Sequence, residues 1–208
     1  MKAKKLLTLI LAVVIAAMAV VSASAATLTE DDNDGQTEVK AHINGPDSGN
    51  ITYKITIPDV IDFEELTQPA DDDDDYFKYV DYTVTLTELS GLDEETQQVS
   101  VYVRDQNAKV DGDQKFWLTN KSDPTKKFKY DVFTTPKEDV TITTPVVNNG
   151  QMVSHVGYYL TGFTQQGESM LGSLRLAQVQ LYGYDLLQIV GEYSGYMVFY
   201  SAIEALKP

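Results

Sequence analysis

From Thr37 onward the hydrophobic and polar positions alternate in short runs. Ile51 to Ile57 alternates and stops at Pro58. Val80, Tyr82, Val84 and Leu86 share one side of a run, and Asp81, Thr83 and Thr85 the other. Val99, Val101 and Val103 repeat that spacing, as do Phe128, Tyr130 and Val132 against Lys127, Lys129 and Asp131. A period of two in β-branched and aromatic residues predicts half-buried strands. Three further strands are expected at 157–163, 174–181 and 193–203. In the second of these the apolar phase changes near Ala177, which predicts a β-bulge. The single helix-leaning stretch is 92–98 (LDEETQQ).

Turn-forming clusters separate the runs: Asn44 to Asn50, Asp111-Gly112-Asp113, Ser122-Asp123-Pro124 and Asn148-Asn149-Gly150. Many short strands with turns between them predict an all-β protein, an antiparallel β-sandwich of immunoglobulin-like or jelly-roll-like form. The inward set is expected to include Val80, Tyr82, Val84, Leu86, Val99, Val101, Val103, Phe128, Tyr130 and Val132.

The N-terminus has a different pattern. Lys2, Lys4 and Lys5 precede an uncharged, mostly aliphatic run from Leu6 to Val21, and Ala23-Ser24-Ala25 follows. A basic start, an apolar stretch and a small-x-small site make a secretory signal peptide, with cleavage expected after Ala25. The run is also shorter than the roughly 20 residues of a typical membrane span. The organisation expected is a signal helix over 1–25, an acidic flexible lead-in over 26–36 and a β-sandwich over 37–208. No Cys follows the apolar run and no LPxTG pattern ends the chain. A secreted or surface-associated protein without a covalent anchor and without membrane contact after cleavage is expected.

Charge narrows the function. The chain carries a net charge of −15, and losing three lysines of the signal takes it to −18. Such a chain repels phosphate backbones, which excludes nucleic acid as a partner. The absence of Cys excludes thiol nucleophiles, thiolate metal sites and disulfide staples. The sequence has no HExxH, GxSxG, SxxK, P-loop or GxGxxG pattern, and its only histidines are His42 and His155. No catalytic residue is expected. The acids fall in runs, including Asp71 to Asp75 and Asp93-Glu94-Glu95, which is the pattern of solvated loops. Glu30, Asp32 and Asp34, followed by Gly35, have the spacing of a calcium loop and are the candidate metal ligands. The twelfth position of that loop is Ala41, where a bidentate Glu belongs, so no cofactor is expected to be needed for folding.

The 13 tyrosines are the more informative group. Tyr on an exposed strand offers apolar area and a hydroxyl to a protein or a sugar. In the last strand, if Tyr193, Met197 and Phe199 face the core, then Tyr196, Val198 and Tyr200 face outward. These three form a candidate contact stripe.

The same segment, Gly191-Glu192-Tyr193-Ser194-Gly195-Tyr196-Met197-Val198-Phe199, resembles the GxYxGxxxF closing strand of secreted Firmicutes surface proteins. Ile55-Thr56-Ile57-Pro58 with Ile61-Asp62-Phe63 is similar to their early IPxxIxFG segment, with Glu64 standing where Gly is usual. The resemblance implies an immunoglobulin-like or pilin-like sandwich and a structural or adhesion role at the cell envelope, without catalysis or fixed site residues. The expected function is therefore binding or assembly at the cell surface, with an envelope protein or glycan, or a second copy, as partner. The alternative is a secreted carbohydrate-binding module or carbohydrate-active fragment. A planar row of exposed aromatics would mark the binding module, and two facing carboxylates in a cleft the enzyme.

Overall fold

The computed structural model describes residues 51–72, 76–109, 111–148, 152–153 and 156–207. The expected signal peptide and lead-in, with the acidic triad Glu30, Asp32 and Asp34, lie outside the described residues, as do His42, His155 and Asp73 to Asp75.

Each alternating run folds as a strand, because alternation lets one face bury its side chains while the other meets water. The strands are β1 (Thr52–Thr56), β2 (Phe77–Ser90), β3 (Gln97–Asp105), β4 (Phe116–Asn120), β5 (Lys127–Phe133), β6 (Tyr158–Phe163), β7 (Ser169–Ala177), β8 (Tyr193–Ser194) and β9 (Met197–Ala205). They form a six-stranded sheet in the order β1-β2-β7-β5-β4-β8 and a three-stranded sheet in the order β6-β3-β9. All pairings are antiparallel. The inner faces share one apolar core, in which Tyr82 of β2 meets Phe199 of β9 edge-on at 6.5 Å. The fold is an antiparallel β-sandwich.

The expected inward residues lie in that core. Val84, Leu86, Val99, Val103 and Val132 are fully buried, and Val80 is half-buried against the same cluster. No helix of the described residues is long and apolar enough to cross a membrane.

Three local expectations are corrected. Residues 92–98 form no helix. The chain turns on Asp93, whose carbonyl accepts from Thr96 and Gln97 and whose carboxylate accepts from the Glu95 amide and the Thr96 hydroxyl. Gln97 and Gln98 already belong to β3, and the six residues between β2 and β3 are too few to nucleate a helix without packing. The phase change at Ala177 is not a bulge, because β7 ends there and a 3-10 turn follows over Gln178–Leu181. The Gln180 side-chain amide then stands in for a strand by bonding both the N–H and the C=O of Lys129. That amide satisfies β5 while the turn buries Leu181.

The third correction concerns 193–203, which is two strands in two sheets. Tyr193 and Ser194 pair with Asn120 and Thr119 of β4, whereas Met197 to Ala205 pair with β3. The switch falls at Gly195 and Tyr196. A Cβ on Gly195 would fall on the carbonyl oxygen of Trp117. Gly191 enters the corner at φ 142°, a conformation reserved for glycine. The buried Asp105 ties the two sheets together at the same place. One of its carboxylate oxygens accepts from Asn107 N at 2.7 Å and the other from Trp117 N at 3.0 Å. Burial pushes the Asp105 carboxyl above its ordinary range, against the pull of those two amides.

Glu64 adopts φ 56°, the left-handed region, with its N–H held by Asp62 Oδ1 at 2.7 Å. This is the position where the surface-protein pattern has Gly. Left-handed geometry costs a non-glycine residue about 1–2 kcal/mol. Glu64 gains little in return, since its pairing with Lys78 at 3.6 Å is exposed. Glu64→Gly also loosens the unfolded chain, so the net gain expected is about 0.5–1 kcal/mol. A urea titration checks this, and a lowered midpoint would contradict it.

Candidate functional site

The stripe expected from the sequence divides at the corner. Tyr196 sits in the turn between β8 and β9, is 37% exposed, and its carbonyl accepts from Gln106 N at 3.0 Å. Val198 and Tyr200 lie on β9, in register with Arg104 and Tyr102 of β3. Both are half-buried on the outer face of the three-stranded sheet.

Around Tyr200 that face holds a polar and aromatic network that sequence reasoning missed. Gln98, Ser100 and Tyr102 alternate with the core valines of β3 and read as a solvent side. In the structure they are 3%, 0% and 2% exposed. Gln98 Nε2 donates to Ser100 Oγ at 2.8 Å and to Tyr159 Oη at 3.1 Å. The Tyr102 hydroxyl donates to both Glu204 oxygens, at 2.7 and 2.8 Å. Lys207 Nζ donates to the Tyr102 hydroxyl, pairs with Glu204 at 2.7 Å and stands over the rings of Tyr102 and Tyr159. The Lys207 amide donates to Gln98 Oε1 at 3.1 Å. The only sequence signal for this network was the number of long side chains on β6 and β9 able to close over β3.

The rings do not form a platform. Tyr102 meets Tyr159 at 73° and Tyr200 at 58°. A stacked sugar needs an open ring face, and here neighbouring rings stand nearly upright while an ammonium covers two of them.

Burial works to raise the Glu204 pKa, but hydrogen bonds from Lys207, Ser100 and Tyr102 outweigh it and hold the carboxyl below its ordinary 4.5. Burial works to lower Lys207, and the bonds to Glu204 and Tyr102 outweigh it and raise the ammonium above 10.5. Glu204 therefore stabilises the fold above its ordinary value, and the contribution is lost as pH falls through the depressed one. The Lys207 contribution is present below 10.5 and is lost as pH rises through the raised value. Both side chains are about one-third exposed, so the pair contributes about 1 kcal/mol or less. The stability difference between wild type and Glu204→Gln is expected to vanish as pH falls below the carboxylate range. A difference independent of pH would contradict this coupling.

A larger apolar display follows the end of β7. After the 3-10 turn, the segment from Tyr182 to Val190, which contains the one-turn helix α1 (Leu186–Ile189), exposes Tyr182, Tyr184, Leu186, Leu187 and Val190. Their exposures run from 45% to 84%. The segment is pinned from three directions. Gln68 Nε2 donates to the carbonyls of Leu181 and Tyr184, the Lys126 ammonium to that of Gln188, and the Tyr193 hydroxyl to that of Ile189. Asp185 caps the helix by accepting from Leu187 N at 3.0 Å. Leu181 and Ile189 anchor the segment in the core. The run YGYDLLQIV has no clean period, so its exposed side could not be read from the sequence.

Trp117 lies on the outer face of β4, its indole N–H on Asp113 Oδ2 at 2.8 Å and Lys127 Nζ over its ring. Among the described residues no three histidine or acidic side chains gather as a metal site.

No protein-family model matches the chain, and no curated protein matches it. Among solved structures, one chain from a chaperone–tip adhesin complex described as vital for synergistic activation of CFA/I fimbriae biogenesis is similar, at 17% identity and a TM-score of 0.39. The match covers 77% of this chain and 44% of that one, so this chain spans less than half its length. The assignment of the sandwich rests on the strand pairing itself.

Proposed function

We propose that this protein is exported, associates with the cell surface, and acts there by binding or assembly, without catalysis. The observation that supports this reading is the pinned apolar segment Tyr182 to Val190. Apolar side chains exposed together on a fixed backbone mark an interaction surface, because a rigid surface loses little entropy when it binds. Tyr196, with Val198 and Tyr200 behind it, is a second, smaller contact surface of the same kind. The tilted tyrosines favour a protein partner over a stacked glycan.

The test is binding of the exported protein to cell-envelope fractions. Leu187→Asp is expected to reduce binding at least tenfold, and Tyr196→Thr with Tyr200→Thr to reduce it less. If both variants fold and bind like the parent, the binding reading fails.

A further inference from the structure

We infer that the segment Glu38 to Ile43 of this chain docks on the flank of the sandwich between β1 and β9, as a fourth strand beside β9. That docking does not depend on Tyr182 to Val190 being a binding surface.

The flank is open among the described residues. There β9 pairs with β3 and with no other strand. Met197, Phe199, Ser201 and Ile203 share the face of Val99, Val101 and Val103, which is the core face, yet all four are only half-buried. Across the core, Tyr53 and Ile55 of β1 are half-buried as well, and the Tyr53 hydroxyl meets Ser201 Oγ at 3.1 Å. The other edge of the three-stranded sheet is sealed, with Tyr158, Leu160 and Phe163 of β6 at 2%, 5% and 2% exposed. Apolar side chains that turn toward the core of an edge strand and still meet water mark a place for one more strand.

The chain just ahead of β1 has the pattern and the reach to fill it. Val39, Ala41 and Ile43 alternate with Lys40 and His42. A strand there closes the core with one face and meets water with the other. The turn-forming cluster Asn44 to Asn50 follows. Its length spans up to about 23 Å, and packed sheets lie about 10 Å apart, so the turn can carry the chain from one sheet to the other. The direction follows from the pairing. Thr52 of β1 pairs with Ser90 of β2, and a short turn joins Ser90 to Gln97, which pairs with Ala205. β1 therefore starts at the end where β9 finishes. A strand that feeds β1 through the turn runs parallel to β9, with Ile43 toward Ala205. A strand from another molecule would compete with a segment tethered a few residues away, which has the higher effective concentration.

The test is residue-resolved amide exchange of the exported protein by NMR, with sedimentation of the same sample. A monomer is expected in which alternate amides from Glu38 to Ile43 are protected and backbone contacts join this segment to β9, Ile43 toward Ala205. Val39→Thr with Ile43→Thr keeps strand propensity and removes the apolar face. That double change is expected to speed exchange along Met197 to Ala205 about tenfold. The control, Lys40→Thr with His42→Thr on the water-facing side, is expected to leave it unchanged. Amides of Glu38 to Ile43 that exchange as in an unfolded chain overturn the inference, as does exchange in β9 that is indifferent to Val39→Thr with Ile43→Thr. Backbone contacts to a different strand, or in the reverse direction, overturn it too. A dimer that the same double change dissociates also overturns it, because the segment then pairs with β9 of another copy.

Discussion

Replacing Val101 with Asp is expected to abolish the folded state. Val101 is the middle residue of β3, and β3 is the middle strand of its sheet, with Thr161 of β6 on one side and Ser201 of β9 on the other. Its side chain is 1% exposed, in a cluster built from aliphatic and aromatic residues. A carboxylate placed there has no water and no cation, and even its protonated form leaves a hydroxyl and a carbonyl without partners. Burying such a group costs several kcal/mol. A domain of this size is stable by about 5–15 kcal/mol, and losing the valine methyls adds to the deficit. Circular dichroism should lose its strand signal, or the melting midpoint should collapse. A cooperative transition near the parent's would place Val101 outside the core and refute the sheet assignment.

The second large effect is expected at the corner where the chain changes sheets. Gly195→Ala puts a methyl on the Trp117 carbonyl, and both groups are backbone, so neither can rotate aside. Either β4 or the start of β9 must move. The Asp105 carboxylate resists that movement, since it ties Trp117 N of β4 to Asn107 N in the turn that follows β3. Overpacking of this kind costs about 1–3 kcal/mol, and the upper part of that range is expected here. Gly112→Ala is the control, because its nearest neighbour is a lysine side chain at 3.4 Å and it should be almost neutral. Amide exchange should speed up along Met197 to Ala205 in Gly195→Ala and remain unchanged in the control. Equal stability losses in the two variants would show that the close approach at Gly195 does not matter.

The sequence by itself determined the best-alternating strands, though not β4 over Phe116–Asn120 or the first half of β7. Alternation in 80–86, 99–103 and 128–132 is a local property, and a period of two leaves one way to bury Val, Leu, Tyr and Phe without burying Asp, Thr and Lys. Both faces of β9 were legible for the same reason, as was the division of its residues into Phe199 inward and Tyr200 outward. The acidic balance and the lack of cysteine were compositional facts with direct consequences.

Tertiary structure decided the rest, because those features depend on residues far apart in the chain. Periodicity cannot show that 193–203 belongs to two sheets, since alternation continues across a corner; only the Trp117 carbonyl lying against Gly195 breaks the strand. It cannot show that Gln98, Ser100 and Tyr102 are buried on the outer side of β3, since Tyr159, Glu204 and Lys207, which surround them, come from β6 and the chain end. Nor can it show which residues of YGYDLLQIV meet water. That segment has no period of its own, and its shape is set largely by Gln68 and Lys126, which bond its carbonyls from distant parts of the chain, with Tyr193 closing it locally.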